Sequence, residues 1–246
     1  MRIFYHIGKY YMLMMMVFSK PEKISIYRKQ VFFEIYSLGI GSMGIVAIIS
    51  IFMGAVITIQ SAFGFTSPFV PLYAVGFATR ESMILEFGPT IVSLILAGKV
   101  GSNIASELGT MRVSEQIDAL DIMGVNSAAF LILPKIIAAV FFNPILIIIS
   151  MFLGIFGGWF FGVVTGVVTS YEYIYGIQWQ FQPFNVFYAL IKTVVFAFII
   201  SSVASYHGYY TKGGALEVGV SSTKAVVYTN ILILVFNFLL TQLLLA

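Results

Sequence analysis

The chain has 246 residues, of which 60% are hydrophobic and only 9% are charged. Soluble globular domains carry about 25% charged residues, so this composition excludes a water-soluble globular protein and indicates a chain that folds in lipid. The absence of cysteine excludes disulfides and thiolate metal sites. The formal net charge of +3 comes from a few local clusters, and we predict no nucleic-acid partner.

The N-terminal segment is predicted to lie in the membrane interface. Residues 2–19 place Arg2, His6 and Lys9 on one helical face and apolar residues on the others, which is typical of an interfacial helix. An extra, poorly formed span is the alternative. A signal peptide is disfavoured because no small-residue cleavage site follows the apolar run. A basic linker comes next, and we expect it on the cytoplasmic side, with residues 1–37 forming the peripheral part of a single domain.

Residues 38–246 are predicted to form an all-α core of five transmembrane helices. An α-helix rises about 1.5 Å per residue, so about 20 apolar residues cross the hydrocarbon core. The predicted spans are residues 38–62, 83–104, 135–161, 185–206 and 225–245. The predicted connections are residues 61–80, 107–124, 170–184 and 207–224. We call residues 107–124 the polar connection.

The third apolar region, residues 131–168, is longer than one span requires. Asn143-Pro144 interrupts it, and two spans that join at this proline are the alternative. No polar turn separates two halves, so we predict one kinked helix. Gly154, Gly158, Gly162 and Gly166 repeat every four residues and predict a ridge for helix packing, within the chain or against a second copy.

The distribution of charge supports five spans. With the N-terminal linker on the cytoplasmic side, the outer connections carry Arg80 beside the acidic residues Glu81, Glu86 and Glu172. The segments predicted on the inner side carry most of the basic residues, as the positive-inside rule requires. They are Arg2, Lys9, Lys20, Lys23, Arg28, Lys29, Lys99, Arg112, Lys135, Lys212 and Lys224. Two spans in the third region would place Lys212 and Lys224 outside.

Lys192 lies inside the fourth predicted span, where an isolated lysine costs about 2.5–3.5 kcal/mol near the bilayer centre. One interpretation is that its ammonium snorkels to the outer interface. The functional interpretation is a cation that faces a cavity and accepts an anionic headgroup, paired with Glu86, which enters its own span from the same side. We therefore select Glu86 and Lys192 as candidate substrate-binding residues.

The segment Ser114–Gly124 has the pattern of a short capped helix. Ser114 suits the N-cap, Glu115 suits the positive end of the helix dipole, and Gly124 suits the position after the helix. A solvated loop helix is one interpretation, and a coupling helix that docks on a cytoplasmic motor is the other. The candidate partner-binding residues are Ser114, Glu115, Ile117, Asp118, Leu120 and Asp121.

Catalytic motifs are missing from the sequence. Gly98-Lys99 is followed by Val100 rather than Ser or Thr, so the phosphate-binding loop pattern is incomplete. The two histidines, His6 and His207, have no metal-site spacing. We predict a chain that is not an enzyme and has no metal or cofactor. Any nucleotide would bind to another subunit.

Several stretches resemble the MlaE/YrbE family of permease subunits of lipid-transporting ABC systems. The resemblance covers nearly the whole chain and is strongest in the long polar run 107–120. The matching stretches are Glu86-Phe-Gly-Pro89, Ala97-Gly-Lys-Val-Gly101, Glu107-Leu-Gly-Thr-Met-Arg-Val-Ser-Glu-Gln-Ile-Asp-Ala-Leu120, the glycines 154–158, Ile191-Lys-Thr-Val-Val-Phe196, Gly208-Tyr-Tyr-Thr-Lys-Gly-Gly214 and residues 221–226.

The resemblance implies one half of a homodimer in the bacterial inner membrane, with a cytoplasmic N-terminus. It implies cytoplasmic ABC ATPase subunits, a periplasmic MCE-domain lipid-binding protein, room for a small cytoplasmic accessory subunit, and phospholipid or a related lipid as the substrate. The family's coupling helix falls on the polar connection, and its headgroup residues fall on Glu86 and Lys192. Leu85 stands where the family often has arginine, and Lys99 also replaces an arginine.

We therefore expect a permease whose lipid cavity lies between two protomers and is lined by the first and last spans. Ile57, Gln60 and Leu85 join Glu86 and Lys192 as candidate lipid contacts. The alternative function is a membrane scaffold that transports nothing and recruits cytoplasmic partners through residues 107–124. A membrane enzyme is a weaker third interpretation, because the chain lacks a catalytic cluster.

Overall fold

The computed structural model describes residues 2–19, 24–65 and 70–245, and these residues form helices and short links without a β-strand. Eight helices follow one another along this described part of the chain. They are α1 (Arg2–Phe18), α2 (Tyr27–Gly64, within a helix that begins at Ile24), α3 (Tyr73–Val113), α4 (Gln116–Ile122), α5 (Ser127–Val164), α6 (Ser170–Gln178), α7 (Pro183–Tyr209) and α8 (Ala215–Leu245).

Five of these helices, α2, α3, α5, α7 and α8, are long and apolar enough to cross a membrane. The prediction of an all-α chain with five spans is confirmed. The helices extend beyond the predicted spans because hydropathy marks the stretch that suits lipid, whereas backbone hydrogen bonding continues until a cap or breaker ends the helix. For this reason Tyr73–Ser82, placed in a connection from its sequence, is helical. The last helix likewise begins at Ala215 instead of 225.

The third apolar region is one uninterrupted helix, α5, of 38 residues. The expectation of a single span is therefore confirmed. Asn143 and Pro144 both lie within it, and Asn143 is buried. A proline removes one backbone donor from a helix, but a reversal of the chain also needs a polar turn, and none follows Pro144.

Three segments within α2 and α3 are π-helical: Ile35–Ile40, Met83–Ile91 and Ala97–Gly101. The middle segment contains Pro89, which has no N–H to continue the regular i to i−4 ladder. The hydrogen bond from the Val92 N–H runs instead to the Phe87 carbonyl, five residues earlier. Such widened turns are rare in helices and occur frequently at functional sites.

The chain divides into two compact units. Unit 1 contains residues 1–42, 94–142 and 195–239, and unit 2 contains residues 43–93, 143–194 and 240–246.

Within unit 2, the glycine ridge of α5 packs against other helices of the same chain. A Cβ at Gly54 of α2 would collide with the Gly154 carbonyl, and one at Gly158 would collide with Thr58 and Tyr173. Gly154 and Gly158 therefore make their close contacts inside the chain, the first of them with Gly54. Gly166 ends the pattern, because it has a φ of +70° and lies beyond α5.

Within unit 1, α1 packs its polar face on α7. His6 Nδ1 lies 2.7 Å from the Tyr206 hydroxyl, and the Tyr10 hydroxyl donates to Ser202 Oγ at 2.8 Å. Phe4 and other large apolar side chains on the opposite face are exposed. The helix position predicted from Arg2 to residue 19 is thus confirmed, while its depth in a membrane stays a prediction.

The linker after α1 falls partly on residues 20–23, which lie outside the described part of the chain. The Asn126 amide ties the end of α1 to the start of α5. Its Nδ2 donates to the Met16 carbonyl at 2.9 Å and to the Ser19 carbonyl at 3.0 Å, which satisfies two carbonyls at the helix end.

Candidate functional site

The first candidate site, within unit 2, is centred on Lys192 of α7, whose side chain is 0% exposed. Its Nζ donates to Glu86 Oε1 and to the Leu85 carbonyl, both at 3.0 Å. The ammonium also lies 4.7 Å from the centre of the Tyr188 ring, within the range of a cation–π contact. The predicted pairing of Lys192 with Glu86 is therefore present, and Lys192 does not snorkel to an open surface.

The sequence explains why the Leu85 carbonyl is available to Lys192. In a regular α-helix this carbonyl would accept the N–H of residue 89, which is Pro89 and has none. Thr90, four residues after Glu86 in the same π-helical segment, donates its Oγ1 hydroxyl to Glu86 Oε2 at 3.0 Å. Pro89 thus leaves the Leu85 carbonyl available as an acceptor for the buried ammonium, beside the Glu86 carboxylate.

The two partners of this pair differ in exposure: the Lys192 side chain is 0% exposed and the Glu86 side chain is 44% exposed. The lysine supplies a buried positive charge, and the carboxylate connects it to the surface of the protein. Lys192 can exchange its hydrogen bond with Glu86 for one with a zwitterionic or anionic group that approaches the pair, because the ammonium remains hydrogen-bonded to the Leu85 carbonyl meanwhile.

The other three predicted lipid contacts, Leu85 of α3 and Ile57 and Gln60 of α2, differ in their exposure. Leu85 is half-buried and contributes its carbonyl to Lys192. On α2, Gln60 is exposed, whereas Ile57 is only 7% exposed within the chain. The exposed apolar residue beside them is Val56. A helical period of 3.6 places Val56 and Gln60 on the same exposed face, with Ile57 beside it, and the role of Ile57 as a lipid contact stays a prediction.

The second candidate site is the polar connection in unit 1, and the structure corrects its predicted N-cap. The helix α4 begins at Gln116, and Glu115 occupies the N-cap position with a φ of +59° and no side-chain cap hydrogen bond. The Ser114 hydroxyl donates back to the Thr110 carbonyl at 2.8 Å. Because α3 continues to Val113, Ser114 ends that helix instead of starting the next one.

The end of α4 follows its sequence prediction. Gly124 has a φ of +77°, which glycine adopts without steric cost. The Val125 N–H donates to the Leu120 carbonyl at 3.1 Å, and the Gly124 N–H donates to the Asp121 carbonyl at 3.0 Å. These bonds close the helix in the way that a glycine after its last turn permits.

The outward surface of α4 differs from the predicted one. Ile117 is 0% exposed and anchors α4 on unit 1, so it is not available to a partner. The apolar residues that point outward are Ile122, 87% exposed, and Met123, 67% exposed. Asp118 and Asp121 are exposed beside them, and Asp118 pairs with Arg112 at 2.8 Å. The predicted acidic residues therefore flank an apolar tip that the sequence analysis missed.

Sequence reasoning also missed a buried ion cluster beside the polar connection. Lys135 Nζ lies 2.6 Å from Glu34 Oε1 and 2.7 Å from Glu107 Oε2, and the lysine side chain is 2% exposed. The cluster joins α2, α3 and α5 within unit 1. Charge counting placed Lys135 on the inner side. It carried no signal that one lysine would join two acids 101 and 28 residues away.

A second missed network, in unit 2, surrounds Arg80, which was expected in an outer loop and is 1% exposed. Its guanidinium donates to Glu81 and to the carbonyls of Ile177 and Trp179. These carbonyls lie at the end of α6, whose capping box between Thr169 and Glu172 was readable in the sequence as Thr-x-x-Glu.

A basic group of residues, Lys9, Arg112 and Lys212, lies in unit 1. Partial burial and then the charges of Lys212 and Arg112 lower the pKa of Lys9 below its ordinary value. Its Nζ lies 3.6 Å from the centre of the Tyr210 ring. Metal-binding side chains do not gather in the described ranges, where no three of His, Cys, Asp or Glu come together in a way that could hold a metal ion.

Comparison with known proteins connects both sites to one family. The family model described as Permease MlaE matches residues 31–243. A probable ABC transporter permease protein of Rickettsia bellii is 38% identical over 232 residues, which cover 92% of this chain and 89% of the relative. A similar protein of Synechocystis is 34% identical over 216 residues, covering 88% and 82%.

The intermembrane phospholipid transport system permease protein MlaE of Haemophilus influenzae is 29% identical over 212 residues, which cover 85% of this chain and 80% of that protein. The family match spans both candidate sites, including Glu86, Lys192 and the whole polar connection. The chain therefore belongs to the MlaE family of ABC transporter permeases.

Proposed function

We propose that the chain is the permease subunit of an ABC transporter that moves phospholipid, or a related lipid, between the bacterial inner membrane and a periplasmic MCE-domain carrier. ATP hydrolysis would occur in separate cytoplasmic subunits. The observation that carries the lipid assignment is the Lys192–Glu86 pair, in which a buried ammonium is linked to a half-exposed carboxylate. The name of the Haemophilus relative supports the same substrate class.

In this proposal, the phosphate of a lipid headgroup approaches Glu86 and takes over part of the hydrogen bonding of Lys192. Leu85, Ile57 and Gln60 belong to the surrounding lipid path, with Gln60 and Val56 on its exposed face and Ile57 behind them. An apolar path with one ionic contact suits a lipid, because the acyl chains need no polar partner and the headgroup needs one.

The mechanical part of the proposal assigns α4 to the motor subunits. The apolar tip Ile122–Met123 would enter a groove on the ATPase, and the acidic residues Glu115, Asp118 and Asp121 would contact its rim. Ile117 would transmit motion inward, because it is fully buried where α4 meets the rest of unit 1. ATP-driven closure of the motor would then favour one of two cavity shapes.

A homodimer completes the proposed lipid cavity, with α2 and α8 of each copy facing it. Only 11% of the most apolar stretch of α8 is buried within the chain and 33% of that of α2, compared with 61% for α7. These two helices therefore offer the largest uncovered apolar faces for a second copy and for lipid. The N-terminus and the polar connection would lie on the cytoplasmic side, where a small accessory subunit could also bind.

The test is purification from its native membrane in mild detergent, followed by mass spectrometry of proteins and lipids and by a lipid-transfer assay. A transporter copurifies with an ATPase and an MCE-domain protein, and it carries phospholipid in stoichiometric amount. A dimer that arrives without lipid and does not stimulate ATP hydrolysis contradicts the proposal and favours the scaffold.

Charge reversal then tests the assignment of Lys192 and Glu86. We expect Lys192→Glu and Glu86→Lys each to abolish transfer, and the double variant to recover part of it, because the pair is restored with opposite polarity. Recovery in the double variant is measured against Glu217→Lys, a charge reversal at an exposed position of unit 1 outside both sites. Failure of the double variant despite normal assembly contradicts the ionic role.

A further inference from the structure

A polar cavity lies in unit 1, separate in sequence from the Lys192–Glu86 pair. Its volume is about 500 Å³, within the range of small-molecule sites. It lies where two π-helical segments come together, Ile35–Ile40 of α2 and Ala97–Gly101 of α3. Neither segment contains a proline that would explain its widened turn. Because such turns are frequent at functional sites, the cavity is a candidate binding site.

The side chains that line this cavity are mostly polar, and together they are cationic. Four serines, one asparagine and one lysine contribute, with two aliphatic residues between them. Lys99 is the only charged residue among the lining residues, and no carboxylate lies beside it there. A cation with neutral donors and without an acidic counter-charge fits an anion.

Hydrogen bonding separates the lining residues into two groups. Ser42 and Ser102 donate to carbonyls of their own helices, at 2.7 Å and 2.5 Å, and so offer only their lone pairs. Ser37, Asn103 and Ser106 use no side-chain hydrogen bond within the described part of the chain. They are therefore free to donate into the cavity.

Lys99 also has N–H donors beyond the one that it uses within the protein. Lys99 Nζ donates to the Gly41 carbonyl, and an ammonium carries three N–H groups. This leaves two donors on Lys99 beside the hydroxyl and amide donors of Ser37, Asn103 and Ser106. The contact with Gly41 anchors Lys99 at the cavity, although the lysine is exposed.

We propose that this cavity binds a phosphate group, as the headgroup of a phospholipid or as inorganic phosphate. A tetrahedral oxyanion accepts several hydrogen bonds from different directions, which one ammonium, two hydroxyls and an amide can supply. A nucleotide is a poorer fit, because no aromatic side chain lines the cavity for a base to stack on. The inference is a statement about binding and stands independently of the proposed transport.

The experiment uses the full-length protein in nanodiscs of digalactosyldiacylglycerol, a bilayer lipid without phosphate. Lysine side chains are acetylated for a short time, and the extent of modification of Lys99 is measured by peptide mass spectrometry. One series adds increasing fractions of phosphatidylglycerol to the bilayer, and another adds inorganic phosphate to the buffer. We expect saturable protection of Lys99, whereas Lys212, an exposed lysine in a basic group, changes far less.

The two series distinguish the source of the phosphate. Protection by phosphatidylglycerol alone assigns a lipid headgroup, and protection by both assigns a site that accepts free phosphate as well. Equal protection of Lys99 and Lys212, or no protection in either series, overturns the proposal. Because the readout is occupancy, it can succeed or fail whatever the lipid-transfer assay gives.

A paired variant tests the donors themselves. Asn103→Ala with Ser106→Ala removes two neutral donors and keeps Lys99, so we expect half-saturation to require about tenfold more phosphate or lipid. The thermal unfolding midpoint of the variant shows whether the fold is intact. Unchanged half-saturation in a folded variant contradicts the assignment of these donors.

Discussion

We expect the loss of Glu86 to lower the free energy of unfolding more than the loss of Lys192 does. The reason is that the ammonium of Lys192 is buried, whereas the carboxylate of Glu86 is half-exposed. In Glu86→Gln the lysine keeps the Leu85 carbonyl but loses its counter-charge, at a cost of about 1.5–3 kcal/mol in the free energy of unfolding. In Lys192→Met an apolar chain of similar length fills the buried space, and the half-exposed carboxylate can be hydrated. Unfolding in mixed detergent micelles measures both variants.

The double variant that combines Lys192→Met with Glu86→Gln separates pairing from packing. We expect it to be about as stable as Lys192→Met alone, because no charge is left to stabilise. Lys192→Met that is less stable than Glu86→Gln would contradict this account. It would mean that the ammonium, with its contacts to Leu85 and Tyr188, stabilises the unit more than its pairing with Glu86 does.

Tyr173 gives a prediction for alkaline pH. It lies in α6 at 0% exposure, and burial raises the pKa of its phenol to about 12, although the hydroxyls of Thr58 and Thr79 act in the opposite direction. Below pH 10, the folded and unfolded chains both keep the proton. Between about pH 10 and 12 only the unfolded chain releases it, so stability falls as pH rises, by about 2–3 kcal/mol in total.

The variant Tyr173→Phe isolates this effect from the other groups that titrate in the same range. It lacks the hydroxyl that donates to the Ile155 carbonyl at 3.1 Å, so below pH 10 we expect it to be about 1 kcal/mol less stable. As pH rises to 12, its difference from the wild type should shrink and reverse. A constant difference across this range, measured by unfolding at each pH, would show that Tyr173 does not titrate with folding.

At the scale of elements, the contact between α2 and α5 depends on the absence of side chains at Gly54 and Gly154. A methyl group at Gly54 would overlap the Gly154 carbonyl, and the two helices would have to move apart. We expect Gly54→Ala to lower the free energy of unfolding by about 1–3 kcal/mol, the usual cost of overpacking. The midpoint of detergent-induced unfolding checks the loss.

Gly44 provides the matched control on the same helix. A Cβ at this position would meet nothing within 4 Å, so Gly44→Ala should leave packing unchanged. Its stability should equal that of the wild type or exceed it by up to about 1 kcal/mol, because alanine has the higher helix propensity. Equal losses at Gly44 and Gly54 would contradict a role for close packing.

These elements also show what the sequence could and could not predict. Hydropathy identified all five long helices, and the close packing at Gly154 and Gly158 and the closing turn at Gly124 followed from local chemistry. Contacts between distant residues were harder. The pairing of Lys192 with Glu86 was found because each charge stood alone in an apolar span.

The remaining errors have a common physical cause. Lys135 and Arg80 stood near predicted span ends, where an exposed charge is normal, and only the folded structure reveals their burial. At α4, a polar face and an apolar face are both visible in the sequence. Which apolar residues anchor the helix depends on the neighbouring helices, so Ile117 was assigned outward and Ile122 was overlooked.

At the scale of the whole molecule, the exposed face of α8 predicts self-association. Val227, Ile231, Leu234, Val235 and Phe238 are exposed and follow a helical period along one face. The chain has no cysteine, so single cysteines introduced along residues 227–238 report directly on contacts between copies. We expect oxidation in membranes to cross-link at least one exposed position, while Ile233→Cys, at 0% exposure, does not react. A scan without any cross-linked dimer would contradict the proposed dimer.

The side of the membrane that each connection faces gives a final prediction. Five spans place residues 107–124 on the same side as the N-terminus and residues 170–184 on the opposite side. The continuous helix α5 is decisive, because an extra crossing there would move residues 170–184 to the inner side. We expect a membrane-impermeant maleimide to label Tyr171→Cys in right-side-out vesicles and Asp121→Cys only in inverted ones, since basic residues favour the cytoplasmic side. Both positions are exposed, so a difference in labelling reports sidedness rather than burial. Labelling of Asp121→Cys from outside would reverse the topology and remove α4 from the reach of any cytoplasmic ATPase.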